Sequence, residues 1–357
     1  VGCDGAADGD ACGDGDACTV DDVCASGVCA GVAKDCGDDL CVDGVCTVVG
    51  TCAPLSPVVA ASSASTPALA YNPLADEMGL IFEGQVLTRT EVFFSRLSSD
   101  GVPRGAPVQL TDGTPATADD EDVSSFVRDI AFAPEEQRYG VLVADSQFLG
   151  GGVSFVALTN DGIVVNSARL VRELASGFAL TPARLAWNGA RFVMAARTAA
   201  QDDDTLVVDD VDGDGDGADL LDSVVAHGFF AEVDVAAGAA GEIGIVAVGT
   251  DVDGNAVDVE FFRADADGSS LATRVLSTGR PPGRSPEIAH VDGGYLVVWQ
   301  EGADAARQLV AVSLDDAGAV VAPARVVSDA DEGAQLPSLA SVGDAAVVAY
   351  FANVDGA

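Results

Sequence analysis

The densest chemistry in the sequence is an acidic run, Asp209-Asp210-Val-Asp212-Gly-Asp214-Gly-Asp216-Gly-Ala-Asp219-Leu-Leu-Asp222, with seven carboxylates in fourteen residues and no cation among them. Each close pair repels by ~1 kcal/mol even in water, and a divalent ion removes that cost. Asp at alternate positions, with Gly between, lets a turning backbone aim several oxygens at one centre, as Ca²⁺ with its roughly 6–8 oxygen ligands requires. The expected ligands are Asp210, Asp212, Asp214, Asp216, Asp219 and Asp222, and the expected role of calcium is structural. Counting from Asp210 the closing Asp219 falls one residue late, and counting from Asp212 one early, so an acidic hairpin without metal is the alternative. A second, weaker candidate is Asp251-Val-Asp253-Gly-Asn255-Ala-Val-Asp258, which lacks the Gly after its third ligand.

Catalytic constellations are scarce, and no catalytic residue is singled out. His227 and His290 are the two histidines, far apart in sequence, and no G-x-S-x-G elbow or H-E-x-x-H pair occurs. His290 reads as a packing residue. Arg184, Arg191, Arg197, Arg280 and Arg284 could line a channel, although stray surface positions are the simpler reading. Trp187 and Trp299 fall on strands and are expected to pack between blades, with sugar stacking as the alternative. Paired carboxylates for glycoside hydrolysis cannot be picked out of 57 acidic side chains.

Those acids stand against 17 basic residues, for a net charge of −40. Phosphate binding needs clustered Lys and Arg, so nucleic acid is excluded as a partner. The chain is also 48% hydrophobic, which sets it apart from a disordered acidic tail. No apolar run approaches the ~18 residues that span a bilayer, and no signal peptide opens the chain.

All nine cysteines, Cys3, Cys12, Cys18, Cys24, Cys29, Cys36, Cys41, Cys46 and Cys52, fall in residues 1–52, a stretch with no aromatic residue. Such a segment cannot bury enough apolar surface to offset its ordering entropy, so disulfides are expected to hold it. Zinc sites use C-x2-C or C-x4-C pairs, often with His; the gaps from Cys12 onward are five, five, four, six, four, four and five residues, mostly outside that pattern, and no His lies nearby. A disulfide framework implies an oxidising compartment: secreted, extracellular or cell-surface. An odd count leaves one cysteine for a partner outside these residues, and a longer parent protein is expected. Residues 53–66, rich in Pro, Ser and Ala, read as a linker.

From residue 67 a unit of about 50 residues recurs, beginning near 67, 127, 182, 231, 286 and 337. Each opens with a short strand: Ala68-Leu-Ala-Tyr, Asp129-Ile-Ala-Phe, Arg184-Leu-Ala-Trp, Glu287-Ile-Ala-His, Ser338-Leu-Ala-Ser. A nearly continuous apolar strand follows, such as Gly140-Val-Leu-Val or Tyr295-Leu-Val-Val-Trp, then a third strand, a glycine turn and a fourth. The turn glycines are Gly101, Gly162, Gly213, Gly268 and Gly318, spaced 61, 51, 55 and 50 residues. Four short strands per unit with no helical periodicity predict an all-β fold, a β-propeller of about six four-stranded blades with the last incomplete. A tandem array of β-sandwiches is the alternative. The missing strands are expected from sequence beyond Ala357 or from another chain. The long connections Thr111–Ser125, Ala199–Thr205, Gly249–Ala256, Ser277–Ser285 and Gln300–Ala306 are expected to share one acidic face, with Asp119, Asp120, Glu121, Asp122, Asp202, Asp203, Asp204, Asp251, Asp253, Glu301 and Asp304.

The stretch from Cys12 to Cys29 resembles the Asp- and Gly-rich, EGF-like cysteine repeats of bacterial surface proteins. Glu287-Ile-Ala-His-Val-Asp-Gly-Gly-Tyr-Leu-Val-Val-Trp-Gln-Glu is similar to the blade signature of sialidase-like propeller repeats, and the 210–222 run resembles the calcium loops of integrin-type (FG-GAP) repeats. The boxes and the converging arginines, Tyr and Glu of sialidases are not recognisable. The repeat, the cysteine module and the lack of a recognisable catalytic constellation point to a non-enzymatic adhesion or structural protein, secreted or of the cell surface, calcium-supported, binding other surface proteins or glycans. A secreted carbohydrate-active enzyme, with its acids in the long loops, and a subunit of a surface filament or layer are the alternatives.

Overall fold

The computed structural model describes residues 19–25, 28–33, 40–42, 45–47, 65–111, 124–145, 152–165, 169–173, 183–200, 203–211, 223–227, 229–238, 240–251, 253, 255–266, 270–291, 293–303, 306–328, 333–342 and 345–352. Two compact units result, Val1–Ser56 and Pro57–Ala357. In the first, β1 (Thr19–Ala25) pairs with β2 (Val28–Ala33), and β3 (Leu40–Val42) with β4 (Val45–Thr47). Register sets Cys24 opposite Cys29 and Cys41 opposite Cys46. Cys24 and Cys29 are buried against each other. Cys3, Cys12, Cys18, Cys36 and Cys52 lie outside the described residues.

The second unit is all β, built from antiparallel sheets whose strands follow chain order. Sheet one holds β5 (Ser65–Asn72), β6 (Glu77–Val86), β7 (Arg89–Ser98) and β8 (Val108–Gln109). Sheet two holds β9 (Ser125–Ala133), β10 (Arg138–Asp145), β11 (Gly152–Thr159) and β12 (Arg169–Glu173). Sheet three holds β13 (Ala183–Trp187), β14 (Phe192–Ala200), β15 (Asp203–Val211) and β16 (Ser223–His227). Sheet four holds β17 (Phe229–Ala237), β18 (Ile243–Thr250), β19 (Ala256–Ala264) and β20 (Ser270–Val275). Sheet five holds β21 (Gly283–Val291), β22 (Gly294–Glu301), β23 (Gln308–Asp315) and β24 (Val320–Val326), and sheet six, among the described residues, β25 (Gln335–Val342) and β26 (Ala345–Phe351).

The first strands pack on one another in the series β5, β9, β13, β17, β21, β25. Four-stranded meanders that meet through their first strands are blades of a β-propeller, with those strands lining the axis. The turns behave as their composition demands: Gly101, Gly162 and Gly318 sit at φ 81°, 80° and 76°, a region open to Gly at little cost. Gly213 and Gly268 lie outside the described residues.

The five larger cores each lie between two blades, and a smaller one, Leu80, Phe82 and Leu97, lies on blade one alone. Ile81 and Phe94 of blade one meet Tyr139 and Val141 of blade two, and Val246 and Phe261 of blade four meet Ile288 and Trp299 of blade five. This explains why second strands are apolar on both sides; β18 is buried along nearly its whole length. A small-on-large rule sets the spacing. Tyr139 lies over Gly79, Phe192 over Gly140 and Tyr295 over Gly244, where a Cβ would come within 2.5, 2.7 and 2.5 Å of the ring. Gly244→Val is therefore expected to lose about 1–3 kcal/mol or more in urea unfolding, by overpacking a site whose neighbours have no room to shift.

Candidate functional site

The first residue of the recurring opening tetrapeptide occupies the same place in every blade: Ala68, Asp129, Arg184, Asp234, Glu287 and Ser338. Register confirms it, pairing them with Ile81, Leu142, Ala195, Val246, Val298 and Ala349 of the second strands. Because first strands line the axis, four successive blades bring three carboxyls and a guanidinium to the centre of the propeller.

The strands are bent at this point. The pairing of β9, β21 and β25 slips just before Asp129, Glu287 and Ser338, and that of β17 before Val233, which precedes Asp234. In two of these bulges Ser285 and Leu336 take φ of 47° and 51°, and Pro286 and Pro337 follow with no N–H to leave unpaired. A bulge turns a side chain out of the pleat, and positive φ at a non-glycine residue is strain that the surrounding packing must hold in place.

Each acid also stitches its blade to the next. Asp129 Oδ2 accepts the Leu185 N–H at 2.7 Å and Oδ1 its neighbour Ile130 N–H at 2.9 Å. Asp234 Oδ2 accepts the Ile288 N–H at 2.8 Å, and Glu287 takes the N–H of Leu339. Beside this level, Glu83 Oε1 accepts Val127 N–H at 3.1 Å, and Glu232 accepts Ser285 N–H. First strands have one edge without a ladder partner, and these carboxylates satisfy it.

Depth sets the protonation. Burial pushes Asp129 up to about 6, against the pull of Arg184 and the Leu185 N–H. Burial, and then repulsion from Asp234, pushes Glu287 up to about 8. Asp234 is raised by burial too, opposed by Arg184, whose Nε lies 3.7 Å from its Oδ1. For Arg184, burial alone would favour the neutral form, but Asp129, Asp234 and Glu287 outweigh it and raise its pKa. The cluster is deep yet reachable, since Arg184 keeps 35% of its side-chain surface. At neutral pH it therefore holds a carboxylic acid, Glu287, and, separated from it by blades three and four around the axis, a largely ionised carboxylate, Asp129. Such a split is the usual mark of an acid–base pair.

The residues singled out in the sequence are placed differently. Asp210 belongs to β15, its backbone paired with Val193, while Asp212, Asp214, Asp216, Asp219 and Asp222 lie outside the described residues. The Asp251 carboxylate accepts N–H bonds from Asp253 and Asn255, so its oxygens are committed to donors in the weaker calcium candidate. Among the described residues no three His, Cys, Asp or Glu side chains form a metal-ligand group. The acidic loop face is partly overturned: Asp203 and Asp204 are in β15, and Glu301, at the end of β22, is buried in an ion pair. Its Oε1 receives Arg280 Nε at 2.6 Å and Trp299 Nε1 at 2.9 Å. Asp119, Asp120, Glu121, Asp122, Asp202 and Asp304 lie outside the described residues. Arg184 is at the axis rather than astray on the surface. His290 packs edge-on to Tyr295 and bonds Asp316 at 2.9 Å, and Trp187 bonds Glu135 at 2.8 Å.

No protein-family model matches the chain, and no curated protein matches it. Solved structures do. A polysaccharide lyase is similar at 10% identity and TM-score 0.47, over 80% of this chain and 74% of that one. An endo-arabinase from Bacteroides thetaiotaomicron is similar at 10% identity and TM-score 0.40, over 81% and 89%. An exo-β-1,3-galactanase from Phanerochaete chrysosporium is similar at 9% identity and TM-score 0.42, over 73% and 64%. The expectation of a non-catalytic adhesion or structural protein is corrected at its premise, that no constellation of reactive side chains is present: Asp129, Arg184, Asp234 and Glu287 come together at the axis.

Proposed function

We propose that the chain cleaves glycosidic bonds with its axial carboxyls. The observation that carries this reading is the divided protonation of two acids of the axial cluster: Glu287 raised to about 8 and Asp129 to about 6. Glycoside hydrolysis asks for one carboxyl that gives a proton and one carboxylate that takes one. Glu287 donates its proton to the glycosidic oxygen as that bond breaks. Asp129 takes a proton from water as the water oxygen bonds the anomeric carbon, so one water is consumed and the two acids end with exchanged protonation. Repulsion from Asp234 adds to burial in favouring the protonated form of Glu287. The acids thus sit on the innermost strands and not in the long loops. The test is release of new reducing ends from a panel of neutral polysaccharides, compared with Glu287→Gln and Asp129→Asn. Release unchanged in both variants rules the assignment out.

Export of the protein is part of the same reading, supported by the facing pairs Cys24–Cys29 and Cys41–Cys46, the positions at which a disulfide closes a hairpin. Likeness to EGF-like surface repeats and to FG-GAP repeats is kept as a proposal on the sequence motifs alone. No helix among the described residues is long and apolar enough to cross a membrane. Structural calcium on Asp210–Asp222 rests on the spacing of its Asp and Gly residues. Adding a chelator at high fixed salt is expected to lower Tm by several degrees, since a ligand held at about 100 times its Kd contributes about 2.7 kcal/mol. An unchanged melt refutes the site.

A further inference from the structure

Where a guanidinium holds this fold together, its planar fork is spent on one carboxylate. Arg96 gives Nε to Glu77 Oε2 at 2.8 Å and Nη2 to Oε1 at 3.1 Å, and Arg280 meets the two oxygens of Glu301 at 2.6 and 3.0 Å. Arg184 departs from that pattern in the place where carboxyls are densest. Asp129, Asp234, Glu287 and Glu232 all act on its charge, yet its Nε stays 3.7 Å from Asp234 Oδ1, and Nη1 makes one long bond of 3.5 Å to the carbonyl of its own neighbour Ala183. Most of its five N–H donors are therefore uncommitted among the described residues, and part of its side chain meets solvent. Asp234 beside it is half committed: Oδ2 accepts the Ile288 N–H at 2.8 Å and the carboxylate takes the N–H of Val235, which leaves about two of its roughly four acceptor positions.

What such a pair can hold follows from its donors and acceptors. An ammonium has no acceptor to offer Arg184. A substrate carboxylate has acceptors only, and it would add a charge where carboxyls already surround Arg184, in a chain of net charge −40; Arg128, the other guanidinium nearby, is offset by Glu83. A hydroxyl has both functions, since its oxygen accepts from the guanidinium and its proton goes to the carboxylate. The fork spans two acceptors, and two adjacent hydroxyls of a sugar ring supply them. We propose that Arg184 and Asp234 are the hydroxyl-binding subsite of the axial site, so that the chain takes neutral sugars with a free vicinal diol in preference to uronic acids and amino sugars. The inference rests on the glycosidase reading and adds its substrate class. It also fits the order around the axis: Asp129, Arg184, Asp234 and Glu287 come from blades two, three, four and five, so a ring held by the middle two lies between the proposed base and the proposed acid.

Calorimetric titration of the full chain at neutral pH tests it, with neutral methyl glycosides of xylose, arabinose and galactose, each beside the analogues that lack one hydroxyl, and with glucuronate and glucosamine. At least one neutral glycoside is expected to bind, and to bind about 10- to 100-fold more weakly when a hydroxyl of the gripped pair is missing, as the loss of a hydrogen bond to a charged group requires. Glucuronate and glucosamine are expected to bind more weakly than that glycoside. Arg184→Lys keeps the charge and loses the fork, so in this variant the intact and deoxy glycosides are expected to bind alike, with unchanged circular dichroism. A merely structural arginine would weaken both by the same factor. Asp234→Asn, which keeps the shape and removes the charge, reads the same loss from the other side of the pair. No binding of any neutral glycoside, tighter binding of glucuronate or glucosamine, or a deoxy penalty that survives in both variants overturns the proposal and leaves the acid–base assignment standing. Absent cleavage with the deoxy penalty intact falls on the acid–base assignment alone.

Discussion

Glycan cleavage by this chain is expected to follow a bell-shaped pH profile with limbs near 6 and 8. The acid limb is set by Asp129, which must be ionised, and the alkaline limb by Glu287, which must keep its proton. Glu287→Gln removes the donor and is expected to lower kcat by about 10²–10⁴-fold on natural glycans, abolishing the alkaline limb. Aryl glycosides with acidic leaving groups need less proton assistance, so the same variant is expected to lose far less on them. Asp129→Asn has no such escape and fails on both. A loss that is equal on the two kinds of substrate would contradict the role of Glu287 as acid, whatever the size of the loss.

The second large effect is on stability and needs no substrate. Both carboxyls have folded-state pKa values above their ordinary ones, 3.8 for Asp and 4.5 for Glu, so between about pH 4 and 8 the folded protein binds more protons than the unfolded chain. Stability therefore falls as pH rises through that window, with the full cost reached above about pH 8. Each pKa unit corresponds to about 1.4 kcal/mol, reduced here by water reaching the axis, so the two groups together amount to several kcal/mol. Many other acids contribute to the wild-type slope, and the difference from a variant isolates one group. Glu287→Gln is expected to match wild type near pH 4 and exceed it by a few kcal/mol at pH 9 in denaturant titrations. Parallel curves for the two proteins would show that Glu287 titrates normally.

These two expectations come from residues that the sequence displayed without distinguishing. The tetrapeptides Asp129-Ile-Ala-Phe, Arg184-Leu-Ala-Trp and Glu287-Ile-Ala-His were recognisable as repeated strand openings, because the apolar residues at their second and third positions recur. The signal that would have found the site was the charge at the first position, conspicuous beside Ala68 and Ser338. Charged residues at strand starts are ordinary, and among 57 acids such a charge does not stand out. The 210–222 run drew attention by local density, and density along the chain measures only what neighbours in sequence can do.

Local rules account for what was legible. Apolar second strands, glycine turns and a period near 50 residues determine an all-β meander, since strand periodicity and turn chemistry act over a few residues. The cysteine count marked the first 52 residues as a separate stretch for the same reason. What only the tertiary structure decided is which side chains share the axis. Asp129, Arg184, Asp234 and Glu287 are about 50 residues apart, and each is unremarkable in its own strand. Their raised protonation exists only where four blades remove them together from water, and that depends on packing between blades, not on the sequence around any one of them.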